Sequence, residues 1–308
     1  MIRGEQLAPG ADAPLASGAL LAPRATRRGR SVPRIAWGPV LRHLVLALFA
    51  LVTLFPIVWV LLLSLKTLPD ANQNEIWPRV FDFSNYAYPL QKISTLTLNY
   101  WNSIYVTTST VAITTACAVF AGYAIVFLRP PGVAVIVGLL VASMFFPTRA
   151  TAVIAIFEIQ KDLGLLNVPA GLIFPYVTLS LALSVFVMRG MFQTVPREIF
   201  DAACMDGAGP LRTLLTIMVP MVKNGMIVVV IINFGAAWGE YLLSKTLNTT
   251  QAAQTLPVVL AGGIGGRGAW GWSRIAAVYV MTIAPGLLAF ALAQRWYIKG
   301  LQEGALKV

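Results

Sequence analysis

The residues best suited to chemistry in this sequence fall into two groups, and neither has the makeup of a catalytic centre. In the first, Glu198 and Asp201 lead into Ala202 and Ala203, and Asp206 and Gly207 close the segment. The two alanines leave one side of a short helix nearly smooth, so that its backbone can approach closely in a partner's groove. The carboxylates of Glu198 and Asp201 can accept hydrogen bonds there or pair with basic groups, and Gly207 permits a sharp turn back. Such residues suit either docking or a solvated amphipathic loop helix that touches nothing, and composition alone favours the second. The second group is polar or ionisable but set in apolar sequence: Arg149, Asn233, Trp238, Glu240 and Tyr241. Such side chains gate or line a pathway, or hold helices together.

Other familiar chemistries are excluded. Cys117 and Cys204 lack CxxC spacing and the lone His43 precedes an apolar run, so no metal or thiol centre is expected. Gly263, Gly265 and Gly268 spell GxGxxG and precede a helix, yet no strand is expected before them. The P-loop pattern of Gly, four residues, Gly-Lys and a hydroxyl residue is absent. ATP binding or hydrolysis by this chain is therefore not expected.

The elements that must position these groups follow from composition. Of 308 residues, 57% are hydrophobic and 11% are charged, against roughly 25% charged in soluble domains. A chain so short of charge cannot cover a globular surface, so part of its solvent is lipid. The net charge is +11, but the basic residues stand between apolar runs rather than on one face of a soluble domain. That argues against nucleic acid. Six runs reach the ~20 helical residues that cross a bilayer: 44–65, 103–128, 133–156, 170–188, 225–243 and 275–292. Helices satisfy every backbone group internally, whereas a barrel would show alternating segments of about ten residues. The expected fold is an all-α integral membrane protein with six transmembrane helices and a short helical cytoplasmic loop.

Residues 1–40, rich in Ala, Pro and Gly with Arg24, Arg27, Arg28, Arg30 and Arg34, predict a disordered basic tail. A signal peptide would bring its apolar core earlier, so the first run is expected to stay as an anchor. With the N-terminus inside, the inner connections hold nearly twice the Lys and Arg of the outer ones. Both termini are then expected in the cytoplasm. The outer segment 66–102 carries Trp77, Tyr86, Tyr88, Tyr100 and Trp101, too aromatic for a plain linker.

The inner segment 190–224 is expected to fold. Thr194 and Pro196 supply a helix start, with Glu198 and Asp201 favourably placed in its first turns. Asp206 and Gly207 mark a turn, and Pro210 opens a second short helix towards Pro220. The order Asp201-Ala202-Ala203, three residues, Gly207, nine residues, Ile217, one residue, Val219-Pro220 resembles the cytoplasmic EAA loop of binding-protein-dependent ABC importer permeases. Asp201 stands for the usual Glu and Val219 for the usual Leu. Most of the chain after the tail is similar to the maltose-type carbohydrate branch, through Pro56-Ile-Val-Trp59, Gly171-Leu172-Ile173-Phe174-Pro175-Tyr176, Trp238-Gly239-Glu240-Tyr241-Leu242 and Gly300-Leu301-Gln302-Glu303-Gly304. Gly239, where the family usually has Asn, and the long N-terminal tail depart from the pattern.

The resemblance implies a permease domain over 41–300 with its coupling loop at 190–224 and a short tail at 301–308. ATPase coupling falls to Glu198, Asp201, Ala202, Ala203, Asp206, Gly207, Ile217 and Pro220. The implied partners are a homologous second permease, two ATPase subunits holding ATP and Mg, an external solute-binding protein and a sugar, in a bacterial inner membrane. No cofactor is expected on this chain. The alternatives are an importer for a polyol, amino acid or peptide, or a secondary transporter using Arg149 and Glu240 for ion coupling, which leaves the inner loop unexplained.

Counting from the inner side, Arg149 and Glu240 lie at similar depth, roughly 22–24 Å along their helices at 1.5 Å per residue. A charge at mid-bilayer costs roughly 2.5–3.5 kcal/mol on insertion scales. The two either pair or snorkel separately to the interface. Asn233, Ala237, Glu240 and Ser244 fall near one stripe of the expected fifth helix. The stripe either lines a path or packs on a neighbouring helix, with packing and gating favoured. Trp238 and Tyr241 either stack on a sugar or sit at the interface.

Overall fold

The computed structural model describes residues 37–73, 75–145, 151–265 and 270–305, and the regular elements among them are all helical. The chain divides into two compact units, 1–51 and 52–308. In the first, the described residues are the N-terminal part of helix α1 (Trp37–Ser64), with apolar side chains such as Phe49 and Leu51 exposed.

In the second unit, the aromatic segment after α1 folds into α2 (Leu68–Ala71) and α3 (Ser84–Lys92) rather than a plain linker. Next comes α4 (Leu96–Tyr123), prolonged by a π-helical turn, Ala124–Leu128. Four helices are long and apolar enough to cross a membrane: Leu41–Ser64, Leu96–Leu128, Pro169–Gln193 and Trp272–Ala291. They match the first, second, fourth and sixth of the expected runs. The third run is not one helix. α5 (Val133–Phe145) has 13 residues, about 20 Å at 1.5 Å per residue. Residues 146–150, with Arg149, lie outside the described residues, and α6 (Val153–Asp162) follows.

The expected fifth run, 225–243, is also divided. The chain leaves α7 (Ile173–Gln193) and forms α8 (Arg197–Met205), then α9 (Pro210–Thr213), a π-helical turn (Leu214–Met218) and α10 (Val219–Met221). α11 (Lys223–Trp238) then departs at 80° from Pro210–Met221. Pro220 lacks an amide donor and crowds the turn before it, where the π-helical turn lies, and the corner itself falls two residues later at Val222, at φ −98° and ψ 12°. Beyond α11 lie α12 (Leu242–Leu247), α13 (Leu256–Gly265) and α14 (Trp272–Ala305). Among the described residues there are thus four full spans, or five if the bent pair is one.

The helices pack around α7. Its largest contact is with α4, where Gly122 permits the approach: a Cβ there would stand 3.0 Å from Met188 Cβ. On the α11 side, a Cβ on Gly225 would overlap Met191. Two buried clusters result. One joins Tyr123, Phe127, Met188, Phe192, Leu214 and Met218 near the C-terminal ends of α4 and α7. The other, towards their N-terminal ends, joins Val106, Leu172, Tyr176, Ala237, Leu243 and Leu247.

Candidate functional site

The acidic segment is a real helix with two unlike faces. Along α8, Ile199, Phe200 and Ala203 turn inward at helical spacing, and Ala203 is 5% exposed. Glu198, Asp201, Ala202 and Cys204 face outward, and Met205 is 89% exposed. The smooth outer face therefore rests on Ala202 alone, because the Ala203 methyl is committed to the chain's own interior. Asp201 approaches Arg197 at 3.9 Å, but both side chains are largely exposed, so the pair contributes little. Glu198 and Asp206 stand exposed with no ion pair among the described residues.

The ends of α8 differ in how they are held. At its start, Pro196 occupies the cap position without a side-chain hydrogen bond. Thr194, expected to open this helix, instead closes α7 by donating to the Met191 carbonyl at 2.8 Å, a local back-bond that threonine readily makes. At its end, Gly207 has φ +74°. Its amide donates to the Cys204 carbonyl and that of Ala208 to the Ala203 carbonyl, each at 3.0 Å. This is the paired closure that a left-handed residue makes possible at a helix C-terminus. Open space surrounds the missing Cβ, so glycine is needed here for its backbone angle, not for room.

The inward face of α8 enters an aromatic box that the sequence did not single out. The Phe200 ring stacks on Phe127 at 5.1 Å between centroids and lies edge-on to Tyr123 at 6.2 Å. Phe192 of α7 closes the box, 6.0 Å from Tyr123 and 6.2 Å from Phe127. The Tyr123 hydroxyl donates to the Pro210 carbonyl at 3.1 Å, tying α4 to the start of α9. Ile217 sits half-buried in the π-helical turn, and Pro220 is exposed just before the corner. A displacement of α8 would thus act on two spanning helices through packed rings.

The second group is assembled otherwise than expected. The stripe through Glu240 and Ser244 is broken, since α11 ends at Trp238 and α12 begins at Leu242. Glu240 lies in the break and caps α12: its carboxylate accepts from the amides of Leu243 at 2.9 Å and Ser244 at 3.1 Å, and from the Tyr176 hydroxyl at 2.7 Å. Asn233 is buried and donates to Ser184 Oγ of α7 and to its own Val229 carbonyl, both at 2.9 Å. The Trp238 indole stacks on Phe234 and donates to the Thr282 carbonyl of α14 at 3.0 Å. Tyr241 is 41% exposed. Asn233, Trp238 and Glu240 therefore make helix-to-helix contacts.

A polar clamp near the N-terminal end of α4 was missed. Asn99 donates to the carbonyls of Gln251 and Gln254, each at 2.7 Å, and Asn102 to that of Ala252 at 2.8 Å. Asn248 and Gln254 brace the same loop from within, and Asn167 accepts from the amides of Thr249 and Thr250 at 2.8 Å. Asn99 and Asn102 fall in the segment 66–102, just before the expected run 103–128, and their acceptors are backbone groups distant in sequence. Of the GxGxxG glycines, Gly263 and Gly265 lie inside α13, and Gly268 is outside the described residues. Among the described residues no His, Cys, Asp and Glu cluster could hold a metal.

Residues 114–302 match the family described as "Binding-protein-dependent transport system inner membrane component". The chain is similar to the sulfoquinovosyl glycerol transport system permease protein SmoH of Agrobacterium fabrum, with 32% identity covering 88% of this chain and 94% of that one. It is also similar to the trehalose transport system permease protein SugB of Mycobacterium tuberculosis, with 30% identity covering 82% and 92%. A solved bacterial ABC transporter involved in the import of the acidic polysaccharide alginate contains a chain of like fold. The TM-score is 0.74 at 23% identity, over 85% of this chain and 96% of that one.

Proposed function

Because the chain belongs to the binding-protein-dependent transport system inner membrane component family, we propose that it is one of two homologous permease subunits of an ATP-driven sugar importer. It is a transport subunit, with ATP and Mg held by two partner ATPase subunits and solute delivered by an external binding protein. The sugar class is supported by the trehalose and sulfoquinovosyl glycerol named for its relatives. Six spans are assigned: α1, α4, the sequence run 133–156 that begins with α5, α7, the bent pair ending in α11, and α14. Both termini and α8 are then on the cytoplasmic side of a bacterial inner membrane.

The observation that carries the reading is the two-faced α8. Its outer face, with Glu198, Asp201, Ala202 and Asp206, seats in a cleft of the ATPase. Its inner face passes ATPase closure through Phe200 to Tyr123 and Phe127 of the α4 segment and Phe192 of α7. Asn233 and Glu240 act as helix fasteners in the gating motion rather than as solute ligands.

Ala202→Arg tests the docking face without disturbing the interior. Purified through a tag on this chain, the wild-type protein should bring a second permease and an ATPase, and the variant should keep the permease and lose the ATPase. Undiminished ATPase in the variant would remove α8 from the docking site. A wild-type chain that came alone and still moved solute would end the importer reading.

A further inference from the structure

We propose that the cavity beside α8 seats the phosphate headgroup of an anionic phospholipid. The cavity measures about 780 Å³ and lies between the end of the α4 segment, the start of α5, the end of α7 and the start of α8. That is within the ~300–1,000 Å³ of sites that hold small organic ligands. Its lining divides sharply in character. Ile125, Val126, Val133 and Val137 give apolar walls, while Arg129, Arg189, Arg197 and Glu198 supply charge.

The charges do not cancel. Glu198 brings one carboxylate to the rim, where it is also part of the exposed face of α8, and Arg197, drawn towards Asp201 at 3.9 Å, stands beside it; Arg129 and Arg189 remain in excess. Arg129 uses Nε on the Val126 carbonyl at 3.2 Å, which leaves its two terminal nitrogens. Arg189 has no ion pair among the described residues. Two guanidinium groups without an ion pair of their own among the described residues, Arg129 and Arg189, therefore line a cavity with one apolar side, formed by Ile125, Val126, Val133 and Val137, and one polar side that also holds Gln193, Arg197 and Glu198. Guanidinium forks suit a phosphodiester, and apolar walls suit the acyl chains attached to it. A soluble phosphate would leave those walls without a partner.

The backbone at Arg129 has an uncommon geometry. The π-helical turn Ala124–Leu128 ends in Arg129 at φ +47°, a left-handed residue without glycine's freedom. Pro130 and Pro131 follow; the first disfavours a right-handed helical residue before it. The helix stops at that point with Arg129 on the cavity rim. Arg129 follows the span Leu96–Leu128, and Arg189 lies in the last turn or so of Pro169–Gln193. Both arginines stand where spans end, the level at which headgroups lie. The inference uses the membrane location of the chain but not its coupling to an ATPase, so either can fail alone.

The test is native mass spectrometry of the detergent-purified full chain, or of its complex. The probes are dioleoylphosphatidylglycerol, dioleoylphosphatidylcholine of equal chain length, and inorganic phosphate. Wild-type protein should retain the anionic lipid over the zwitterionic one by roughly ten- to thirtyfold, as expected of two basic groups near a headgroup. Arg129→Ala with Arg189→Ala should lose most of that preference, and Arg129→Lys with Arg189→Lys should keep most of it. The single variant Arg189→Ala, which leaves the left-handed turn untouched, should show an intermediate loss. Equal retention of the two lipids by wild-type protein would overturn the proposal. So would a preference unchanged in the double alanine variant, which would assign the lipid to other basic residues. Binding of inorganic phosphate as tight as that of the lipid would also overturn it, because the apolar walls would then contribute nothing.

Discussion

The two ends of α4 are fastened by opposite physics. At its C-terminal end, rings pack on rings: Tyr123, Phe127, Phe192 and Phe200 meet with a single hydrogen bond, Tyr123 to the Pro210 carbonyl, tying the group to the next helix. At its N-terminal end, Asn99 and Asn102 hold the loop 248–255 through directed bonds to backbone carbonyls. Ring contacts have more than one favourable geometry, offset-stacked and edge-on, and both occur in this box. A hydrogen bond weakens steeply once its geometry is lost. The first end can repack when α8 moves, while the second keeps its shape. Under the proposed coupling, a push on α8 would meet the end built of rings and leave the hydrogen-bonded loop 248–255 held.

The largest expected break in the comparison comes from Phe200→Ala. Removing a half-buried ring from the box should cost about 2–3 kcal/mol, below the full core range. Uptake into proteoliposomes should fall roughly tenfold or more if even about 1.4 kcal/mol of coupling is lost. The ATPase should still copurify, because the outer face of α8 is intact. At the other end, Asn99→Leu leaves the Gln251 carbonyl without this donor and should lower stability by about 2 kcal/mol. Thermal unfolding would show that loss, with ATPase recovery unchanged. A variant at either end that produced the other's signature would collapse the distinction.

Gly207→Ala sharpens it. With open space around the site, only the backbone angle is opposed, and the cost should be about 1 kcal/mol. Thermal unfolding should register it as a small shift, with ATPase recovery reduced only in part. The smallest effect is expected outside both ends, in the segment after α1. The Arg79 guanidinium donates to Glu75 at 2.9 Å, and that hydrogen bond holds the Glu75 carboxyl below its ordinary value. A lowered folded value contributes stability above the unfolded pKa, lost as pH falls through the folded one. Acidification should therefore lower the unfolding midpoint slightly less in Glu75→Gln than in wild-type protein. Both groups are exposed, so the difference should be slight and fade with salt.

What the sequence revealed and what it hid follow the same division. Apolar runs located the four long spans, because burial in lipid imposes length and composition on the segment itself. Pro196 with Glu198 and Asp201, the Asp206–Gly207 turn and Pro210 located α8, its glycine closure and the helix after it, all of them local backbone effects. The corner after Met221 was not foreseen. Nor did these residues reveal that Ala203 faces inward or that Phe200 meets Phe127 and Phe192. Those are contacts between elements, and the alternation of Ile199, Phe200 and Ala203 with acidic residues was the only trace of them. Glu240 misled for a similar reason. Its spacing fits a helical stripe, but Gly239 and the capping of α12 end the helix before that stripe forms.

The central claim, that α8 is the ATPase-docking element, can be measured on native cysteines. Cys204 is exposed on α8 and Cys117 is exposed within the candidate span Leu96–Leu128, so a hydrophilic maleimide should label Cys204 and spare Cys117 in the lipid. The account predicts that Cys204 labelling in the assembled complex slows at least several-fold relative to complex stripped of its ATPase, and recovers when the ATPase is removed. Equal labelling of Cys204 with and without a stoichiometric ATPase would contradict it.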